Sequence, residues 1–414
     1  MALPDVIQIR PLTVPVCATI SVPGSKSLTN RELVLAALGN GPTLLRGALW
    51  SEDTRLMVEC LKRLGFTIEV TDDATNSSNR TITVQGQGGR VPAREADLFV
   101  GTAGTAARFL AAVCALGTGR YHLHGTPRMH ERPMKEVFDA IRALGAKVED
   151  SNGRLPATIS GPIREGSVAV PSIDSSQFAS AMILISRTAN IRVDSPSSPY
   201  VDMTRRLMEE WSKPAATREI EPDASSASYF VALQRLHPGG RLDLGARFAQ
   251  PSLQIDHRMS ADKFWTPFPK RVSRRSDLGD SVLTLVIAAA AMKQSFHLIE
   301  AANLREQECD RISALAVELT KCGVPVKEEP EGLILEPASR FQPATIHTYN
   351  DHRIAMSFAV LASMDAMGNG KPWITIENPS CVEKTFPNFF ETLESLARQS
   401  NEAAGKPHQP MVSR

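Results

Sequence analysis

The stretch Pro23-Gly-Ser-Lys-Ser-Leu-Thr-Asn-Arg31 shows a pattern that recurs along the rest of the chain. Small and hydroxyl residues begin it, an apolar run from Leu33 to Leu38 follows, and Gly39-Asn-Gly41 is typical of a helix stop. We therefore expect the Gly-Ser-Lys-Ser turn at the N-terminus of a helix. Such a terminus offers free backbone N–H groups and the positive end of the helix dipole. With the cations of Lys26 and Arg31 close by, the segment predicts a binding site for an anion.

The alternative for this segment alone is a capping serine followed by two solvated cations. Six copies of the same plan in the chain count against that alternative. Each copy has a start rich in Gly, Ser, Thr or Asp, then a helical apolar run, a short break and a strand. The six starts are Gly24–Arg31, Gly101–Ala106, Asp174–Gln177, Asp223–Tyr229, Leu278–Ser281 and Tyr349–Arg353.

Amphipathic helices of a second kind lie between these copies, and each ends at a glycine followed by a strand with acidic residues. They are Leu56–Leu64 before Gly65, Val137–Leu144 before Gly145, and Leu315–Cys322 before Gly323. Adding this helix to the plan above gives a repeating unit of the type βαβαββ. The sequence therefore predicts an α/β (α+β) protein built from six similar units.

The six units divide into two groups, because three precede about Ile220 and three follow it. This division predicts two similar domains. The residues 246–275 are irregular and basic, and no glycine closes the helix that starts at Arg206, so we expect the fourth and fifth units to be shortened. A cleft between the domains, with helix N-termini and cations along it, would suit ligands that carry several negative groups.

Composition and charge narrow the class of protein. Of 414 residues, 42% are apolar and 22% are charged, which is ordinary for a globular enzyme, and the formal net charge is +1. That balance favours neither nucleic acid nor a membrane surface as a partner. The six cysteines form no CxxC pair or zinc pattern, so we expect free thiols and no metal site. No signal-like or membrane-spanning run is present, and we expect a cytoplasmic protein.

Eight motifs, in chain order, resemble the enolpyruvyl transferases, and most closely the branch of that family in the shikimate pathway. They are Pro23-Gly-Ser-Lys-Ser27, Gly101-Thr-Ala-Gly-Thr-Ala106, Pro127-Arg-Met-His-Glu-Arg-Pro133, Ser175-Ser-Gln177, Asp223-Ala-Ser-Ser-Ala-Ser-Tyr229, Glu308-Cys-Asp-Arg311, Asp351-His-Arg353 and Lys384-Thr-Phe-Pro387. One such motif would be weak evidence, since Gly/Ser loops before helices are common. The ordered set spans nearly the whole chain and is specific.

The resemblance implies a fold of two domains, residues 22–219 and residues 1–21 plus 220–414. Each domain would hold three βαβαββ units around a pseudo-threefold axis, with the active site in the cleft that closes between them. The implied reaction moves the enolpyruvyl group of phosphoenolpyruvate onto the 5-hydroxyl of shikimate 3-phosphate and releases phosphate. It needs no cofactor, and we expect a monomer whose only partners are these two small substrates.

The resemblance also implies the site residues. Asp280 would accept the proton of the 5-hydroxyl, Glu308 would act on C3 of the enolpyruvyl group, and Lys26 would serve in catalysis as well. The shikimate 3-phosphate set is Lys26, Ser27, Arg31, Ser175, Ser176, Gln177, Ser197, Tyr200, Asp280, Asn303 and Gln307. The phosphoenolpyruvate set is Lys26, Gly104, Thr105, Arg128, Gln177, Arg311, Arg353 and Lys384.

Several of these residues have simpler interpretations when they are taken alone. Asp280 and Asp351 could be plain N-caps. Glu308 and Arg311 could form a weak surface pair at i, i+3. Lys384 could be a solvated loop cation, and the arginines of the 127–133 segment a basic surface patch. The motif match favours the functional interpretation in each case.

The sequence departs from the family pattern at two places. Gln307 stands where the family has a lysine, and an amide cannot exchange a proton at neutral pH. We expect a basic residue from Lys270–Arg275, or Arg305, to supply the missing cation in part. Thr102 replaces an asparagine on the phosphoenolpyruvate side, whereas the retained Gly104 predicts a pocket of the glyphosate-sensitive type.

Three functions remain open from the sequence. The first is a working transferase of the shikimate pathway. The second is the sister activity on UDP-N-acetylglucosamine, which uses a loop cysteine that the segment Thr126–Pro133 lacks. The third is a degenerate paralogue that binds phosphorylated ligands with little turnover, which Gln307 would favour. Retention of both candidate carboxylates and of the surrounding cations counts against the third.

Overall fold

The structure is a computed structural model that describes residues 3–172, 175–213, 215–245, 248 and 251–405. The chain divides into two compact units. The N-terminal unit comprises Pro23–Pro222 with Phe248–Gln254, and the C-terminal unit comprises the described parts of Met1–Val22, Asp223–Arg247 and Ile255–Arg414. Asp174, which begins the third predicted start segment, lies outside the described residues.

The N-terminal unit alternates helices with strands. Its helices are α1 Lys26–Leu38, α2 Glu52–Arg63, α3 Gly104–Leu116, α4 Pro127–Glu131, α5 Lys135–Ala143, α6 Ser176–Ala189 and α7 Pro199–Glu210. Its strands are β3 Asn40–Leu49, β4 Thr67–Asp72, β5 Asn79–Gln87, β6 Glu95–Phe99, β7 Arg120–His124, β8 Lys147–Asp150, β9 Ala157–Ser160, β10 Gly166–Ala169, β11 Ile191–Asp194 and β12 Thr217–Glu219. They form sheets in the orders β12-β3-β5-β4, β6-β7-β9-β8 and β10-β11.

The C-terminal unit takes its first two strands from the start of the chain. Its strands are β1 Val6–Gln8, β2 Cys17–Thr19, β13 Arg241–Asp243, β14 Arg271–Ser273, β15 Phe296–Ile299, β16 Val326–Glu329, β17 Gly332–Leu335, β18 Ala344–Ile346 and β19 Ile374–Glu377. Its α-helices are α8 Ala224–Leu236, α9 Asp262–Trp265, α10 Val282–Ala291, α11 Arg311–Lys321, α12 His352–Ala362 and α13 Phe389–Ala403. The sheet orders are β1-β19-β18, β13-β2 and β14-β15-β17-β16, and 3₁₀ helices cover Ile255–Ser260, Ala302–Glu306 and Pro379–Lys384.

Short polar side chains begin the repeat helices as the start segments predict. Ser25 accepts from the Leu28 N–H at the start of α1, and Asp223 accepts from the Ser226 N–H at the start of α8. These bonds satisfy backbone donors that have no partner within the helix. Glycine ends the second kind of helix: Gly65 follows α2 with a φ of 92°, a conformation that a side chain would strain.

Three repeat helices form the centre of each unit. In the N-terminal unit these are α1, α3 and α6, and in the C-terminal unit α8, α10 and α12, which pack against one another. All ten residues of α10 are buried, as its uniformly apolar sequence requires. The polar starts of these helices thereby come together, and they carry the candidate functional residues.

The predicted shortening falls on the fourth unit. Between α8 and β14 the described residues form only β13, the 3₁₀ helix Ile255–Ser260 and the four-residue α9. The fifth unit has four strands, because the basic run contributes β14 to the edge of the sheet that holds β15, β16 and β17. Within the described part of the chain, no helix combines the length and the apolar character that crossing a bilayer requires.

Candidate active site

Seven charged side chains of the C-terminal unit form one connected group, which we call the charged cluster. Its members come from the end of β14, from the starts of α10, α11 and α12, and from the 3₁₀ helix Pro379–Lys384. They are Arg274, Asp280, Glu308, Arg311, Asp351, Arg353 and Lys384. Four cations thus face three carboxylates, an imbalance that suits an anionic ligand.

Asp280 lies between guanidinium groups. Its Oδ1 accepts from Arg274 Nη2 at 2.9 Å, and its Oδ2 lies 2.7 Å from Arg353 Nη2. Arg311 Nη1 lies 3.9 Å from Oδ1. Helix α10 begins at Val282 with a different residue as its N-cap, so the plain N-cap interpretation of Asp280 is wrong. Its carboxylate is held by side chains that come from two other elements.

Arg311 links the carboxylates of the cluster. Its Nε donates to Asp351 Oδ2 at 2.7 Å, and its Nη2 donates to Glu308 Oε2 at 2.7 Å. Only 1% of Arg311 is exposed, so the interpretation of a weak surface pair is wrong. Burial alone would lower the pKa of Arg311, but the carboxylates of Asp351, Glu308 and Asp280 outweigh it and raise that pKa above its ordinary value. Arg311 is therefore a fixed positive charge at the centre of the cluster.

Lys384 completes the surroundings of Glu308. Its Nζ lies 3.1 Å from Glu308 Oε1, and only 6% of the lysine is exposed, so it is not a solvated loop cation. Asp351 is an N-cap as its simpler interpretation predicts, since its Oδ1 accepts from the Arg353 N–H at 2.8 Å. The same carboxylate also binds Arg311, so it orients the cluster as well as capping α12.

The two candidates for the missing cation beside Gln307 differ in their contacts. Arg305 donates to Asp310 at 2.8 Å and Glu328 at 2.7 Å, and to the backbone carbonyls at the end of β16 and just after it. Arg274, from the predicted basic run, is buried and contacts Asp280. Gln307 itself donates to the Asn303 carbonyl at 3.3 Å. Of these two candidates, it is therefore Arg274 that contacts a candidate catalytic carboxylate.

In the N-terminal unit, Lys26 lies in the first turn of α1 and contacts Asp53 in the first turn of α2. The distance from Lys26 Nζ to Asp53 Oδ2 is 3.2 Å, and both side chains are largely buried. The next residue, Ser27, offers its carbonyl to Arg31 Nη1 at 2.8 Å. The Gly-Ser-Lys-Ser turn is therefore held by the Lys26 contact to Asp53 and by the Ser27 contact to Arg31.

Gly104 begins α3 under two buried guanidinium groups. A Cβ atom at this position would lie 2.6 Å from Arg108 Nη1 and 2.7 Å from Arg132 Nη2, so no larger residue fits without moving them. Arg108 Nη1 donates to Gln177 Oε1 at 2.8 Å, which joins the starts of α3 and α6. Arg132 donates to the Thr102 carbonyl at 3.1 Å. Gly104, Gln177 and two arginines thus form one group.

Arg31 differs from the cations of the charged cluster, because its described hydrogen-bond partners are hydroxyls and carbonyls. It is 2% exposed and donates to Thr204 Oγ1 at 2.8 Å and to Ser180 Oγ at 3.3 Å. Its remaining acceptors are the carbonyls of Ser27 and Tyr200. Burial lowers its pKa to about 10. In this arrangement Arg31 joins α1, α6 and α7, and its contact with a substrate stays a prediction.

The remaining predicted residues lie at helix starts or on loops. Ser175 caps α6, with its Oγ accepting from the Gln177 N–H at 3.2 Å, and Ser176 is the first residue of that helix. Ser197 donates to Asp202 at 2.5 Å just before α7. Arg128 contacts Glu131 at 2.6 Å within α4. The other members of the two sets are partly exposed residues at these same starts, Thr105 in α3 and Asn303 before α11.

Sequence reasoning did not select several residues that the structure places in contact with these sites. Arg132 lies within a quoted motif and Arg108 just after one, whereas Asp53 is distant from every quoted motif, and none of the three was selected as a site residue. Arg274 was one of several basic residues in an irregular stretch. Tyr229 closes a quoted motif, and burial raises its pKa to about 12, although Arg353 opposes that rise. These residues are recognised by being buried among polar helix starts, and the sequence alone does not show which side chains are buried.

Comparison with known proteins gives a consistent family result. Residues 12–393 match the family model described as EPSP synthase (3-phosphoshikimate 1-carboxyvinyltransferase). The 3-phosphoshikimate 1-carboxyvinyltransferase of Opitutus terrae is 39% identical, covering 97% of this chain and 99% of that protein. The protein of the same name from Nostoc punctiforme is 36% identical over 95% of this chain and 100% of its own. The EPSP synthase structure from Acinetobacter baumannii has a TM-score of 0.71 at 22% identity, covering 95% of this chain and 98% of that one, and it shares the fold.

Proposed function

The chain belongs to the EPSP synthase (3-phosphoshikimate 1-carboxyvinyltransferase) family, and on that premise we propose that it transfers the enolpyruvyl group of phosphoenolpyruvate to the 5-hydroxyl of shikimate 3-phosphate. The product would be 5-enolpyruvylshikimate 3-phosphate, with release of phosphate, in the shikimate pathway that supplies aromatic amino acids. The observation that carries the proposal is the charged cluster. It places Asp280 and Glu308 in two different cationic surroundings joined by Arg311.

The reaction needs two proton transfers in its addition half and two in its elimination half, and the two carboxylates supply groups for them. Asp280 takes the proton of the 5-hydroxyl as its oxygen bonds to C2 of phosphoenolpyruvate. A proton delivered from Glu308 to C3 completes a tetrahedral intermediate. In the second half, Glu308 takes a proton back from the C3 methyl group as the C2–O bond to phosphate breaks, and the proton held by Asp280 passes to the leaving phosphate. Lys384, 3.1 Å from Glu308, can exchange a proton with it during the cycle.

The cations provide the binding energy for four anionic groups, a phosphate and a carboxylate on each substrate. Arg311, Arg353 and Lys384 bind phosphoenolpyruvate, because buried guanidinium and ammonium groups make strong charge-assisted bonds to oxyanions. Gly104, Thr105, Arg128 and Gln177 complete that set in the N-terminal unit. Support for the Gly104 position comes from the two guanidinium groups that a Cβ atom there would meet.

The shikimate 3-phosphate set draws on both units. In the N-terminal unit it comprises the starts of α1, α6 and α7, with Lys26, Ser27, Arg31, Ser175, Ser176, Gln177, Ser197 and Tyr200. In the C-terminal unit it comprises Asp280, Asn303 and Gln307. Helix starts with free N–H groups and serine hydroxyls suit a phosphate and a polyhydroxyl ring.

That these residues form one site in a cleft between the two domains stays a prediction, drawn from the fact that each unit contributes some of them. Small-angle scattering tests it, since the cations of both units would repel one another until shikimate 3-phosphate binds. We expect the radius of gyration to fall when that ligand is added. An unchanged radius at saturating ligand would contradict closure.

The function is tested by phosphate release from purified protein with both substrates. We expect release that depends on both phosphoenolpyruvate and shikimate 3-phosphate, and loss of roughly 10²–10⁴-fold in kcat for Asp280→Asn or Glu308→Gln. Omitting shikimate 3-phosphate controls for hydrolysis of phosphoenolpyruvate alone. No phosphate release from a folded wild-type protein would contradict the proposal.

A second candidate, a protein that binds phosphorylated ligands with little turnover, is favoured by Gln307 alone. Calorimetric binding of shikimate 3-phosphate without phosphate release would support it. The intact charged cluster counts against it, because burying four cations and three carboxylates without a use for them costs desolvation energy.

We also propose that the protein is a monomer of the cytoplasm that binds no nucleic acid. Its six cysteines are free thiols, which is typical of a reducing compartment, and its formal net charge is only +1. Light scattering after size-exclusion chromatography tests the monomer, and a mass near twice 45.0 kDa would contradict it.

A further inference from the structure

Asp256 is a buried carboxylate of the C-terminal unit that no step of the proposed reaction uses. It lies in the 3₁₀ helix Ile255–Ser260, in the irregular fourth unit, and is 3% exposed. Burial raises its pKa, and the hydroxyls of Ser225 and Ser281 oppose that rise. A buried carboxylate is costly unless donors surround it, so its contacts indicate what it stabilises.

The donors around Asp256 flank the candidate base. Oδ1 accepts from the Gly279 N–H at 2.5 Å and from Ser281 Oγ at 2.7 Å. These are the residues immediately before and after Asp280. Oδ2 accepts from Ser225 Oγ at 2.5 Å, and Ser225 lies in the first turn of α8. One carboxylate therefore ties the residues on both sides of Asp280, through the Gly279 N–H and the Ser281 hydroxyl, to a neighbouring helix start.

We propose that Asp256 is the positioning residue of Asp280, and that it sets the direction of that carboxylate in the reaction. The inference rests on the proposed function, since it assigns Asp280 the role of base. The Asp280 side chain is held by Arg274 and Arg353, but those bonds fix its direction only if its backbone is fixed too. Asp256 supplies that second constraint, and Asp280 itself contacts the substrate.

A positioning role predicts a loss in kcat with little change in KM. In Asp256→Ala the Gly279–Ser281 segment loses both of its contacts to Oδ1. A displacement of about 1 Å at a reacting group costs roughly 10²-fold in rate, so we expect that loss in kcat, with KM for both substrates within about twofold of wild type.

Asp256→Asn separates geometry from charge and has less effect on folding. Its amide oxygen can accept from Gly279 and Ser281, and its NH₂ group can donate to Ser225. We expect its kcat to stay within about threefold of wild type, because the contacts on the Oδ1 side are kept. A loss as large as that of Asp256→Ala would show that the negative charge matters instead, and would overturn the inference.

The decisive measurement is the cycle with Asp280→Asn. If Asp256 acts through Asp280, adding Asp256→Ala to Asp280→Asn lowers the residual kcat no further. The same fold-loss in both backgrounds would mean a general structural effect and would overturn the proposal. Should Asp256→Ala fail to fold, Ser281→Ala replaces it in the cycle, because it removes one of the same contacts.

Asp365 provides a matched control in the same unit. Its Oδ1 holds a turn through the backbone N–H groups of Asn369 at 3.1 Å and Gly370 at 3.0 Å, beyond the C-terminal end of α12. Asp365→Ala should leave kcat unchanged, and an equal loss there would overturn the proposal. An inactive wild-type protein would reject the proposed function itself. An active wild type with normal kcat in Asp256→Ala would reject only this inference.

Discussion

Removing Arg274 tests whether the basic run of the irregular fifth unit serves the reaction. In Arg274→Ala, Oδ1 of Asp280 loses a hydrogen bond of 2.9 Å from a buried guanidinium. The carboxylate then keeps Arg353 on Oδ2, with Arg311 at 3.9 Å from Oδ1. A bond to a charged group contributes about 1.5–3 kcal/mol, so the expected loss is roughly 10- to 150-fold in kcat.

Arg275→Ala is the matched control, because it removes the same charge from the next residue. Arg275 is exposed, and only its backbone N–H makes a described contact, to Ser273 Oγ at 3.0 Å. The assay is phosphate release at saturating substrates, with the thermal midpoint measured for each variant. Wild-type kinetics in Arg274→Ala would refute the reasoning. An equal loss in both variants would show that the lost charge acts at a distance, without the contact.

Gln307→Lys extends the same test to the missing family lysine. If Arg274 already supplies the cation, this change should raise kcat by no more than about threefold in the wild type, and by about tenfold or more in Arg274→Ala. A large gain in the wild-type background would show that the gap beside Glu308 is real and that Arg274 does not fill it. Absence of activity in every background would favour the binding-only function.

Four further predictions follow from the described contacts. Lys26→Ala should nearly abolish turnover without unfolding the chain, since its ammonium makes charge-assisted contacts with the substrates; near-normal kinetics would place it outside the site. Arg128→Ala should also nearly abolish turnover, because it removes a contact to phosphoenolpyruvate. Unchanged KM and kcat would mean that Arg128 pairs only with Glu131. Gly104→Ala should raise KM for phosphoenolpyruvate because two arginines must move, and an unchanged KM would refute that. Burial raises the pKa of Glu32 to about 7, above its ordinary 4.5. The contribution of Glu32 to the free energy of unfolding is therefore full below about pH 4.5, where the carboxyl is protonated in both states, and is lost as the pH rises through 7. Glu32→Gln should therefore raise the free energy of unfolding by on the order of 3 kcal/mol at pH 8 and leave it unchanged at pH 4.5, and urea unfolding at the two pH values measures this.

The repeat could be predicted from the sequence because its signals are local. A capping residue such as Ser25 and a glycine such as Gly65 act within a few residues of the helix end that they determine. The glycine-closed helices end within one residue of their predicted bounds and begin two to four residues earlier than predicted. The fourth and fifth units were predicted to be short because they lack these local signals, and the fifth nevertheless has a four-stranded sheet.

The candidate site could be predicted only in part, since its contacts join distant segments. Asp280 and Glu308 were selected by resemblance, and nothing in the sequence shows that Arg311 would connect them. Arg274 and Asp256 come from an irregular stretch where no periodicity indicates which side is buried. Arg31 was selected from its motif as a ligand contact, and its guanidinium also binds Thr204 and Ser180, which the sequence did not indicate.

The strand pairing of the C-terminal unit has a consequence for how the protein is made. Strand β1 near the start of the chain pairs antiparallel with β19, and β2 pairs with β13. A ribosome adds about 5–20 residues per second, so β1 emerges roughly 20 to 70 seconds before its partner is synthesised. Throughout that time its backbone hydrogen-bonding groups stay open to other chains. Fusion tags or truncations at the first residues should therefore reduce the yield of folded protein by disturbing the half of the molecule that is translated last.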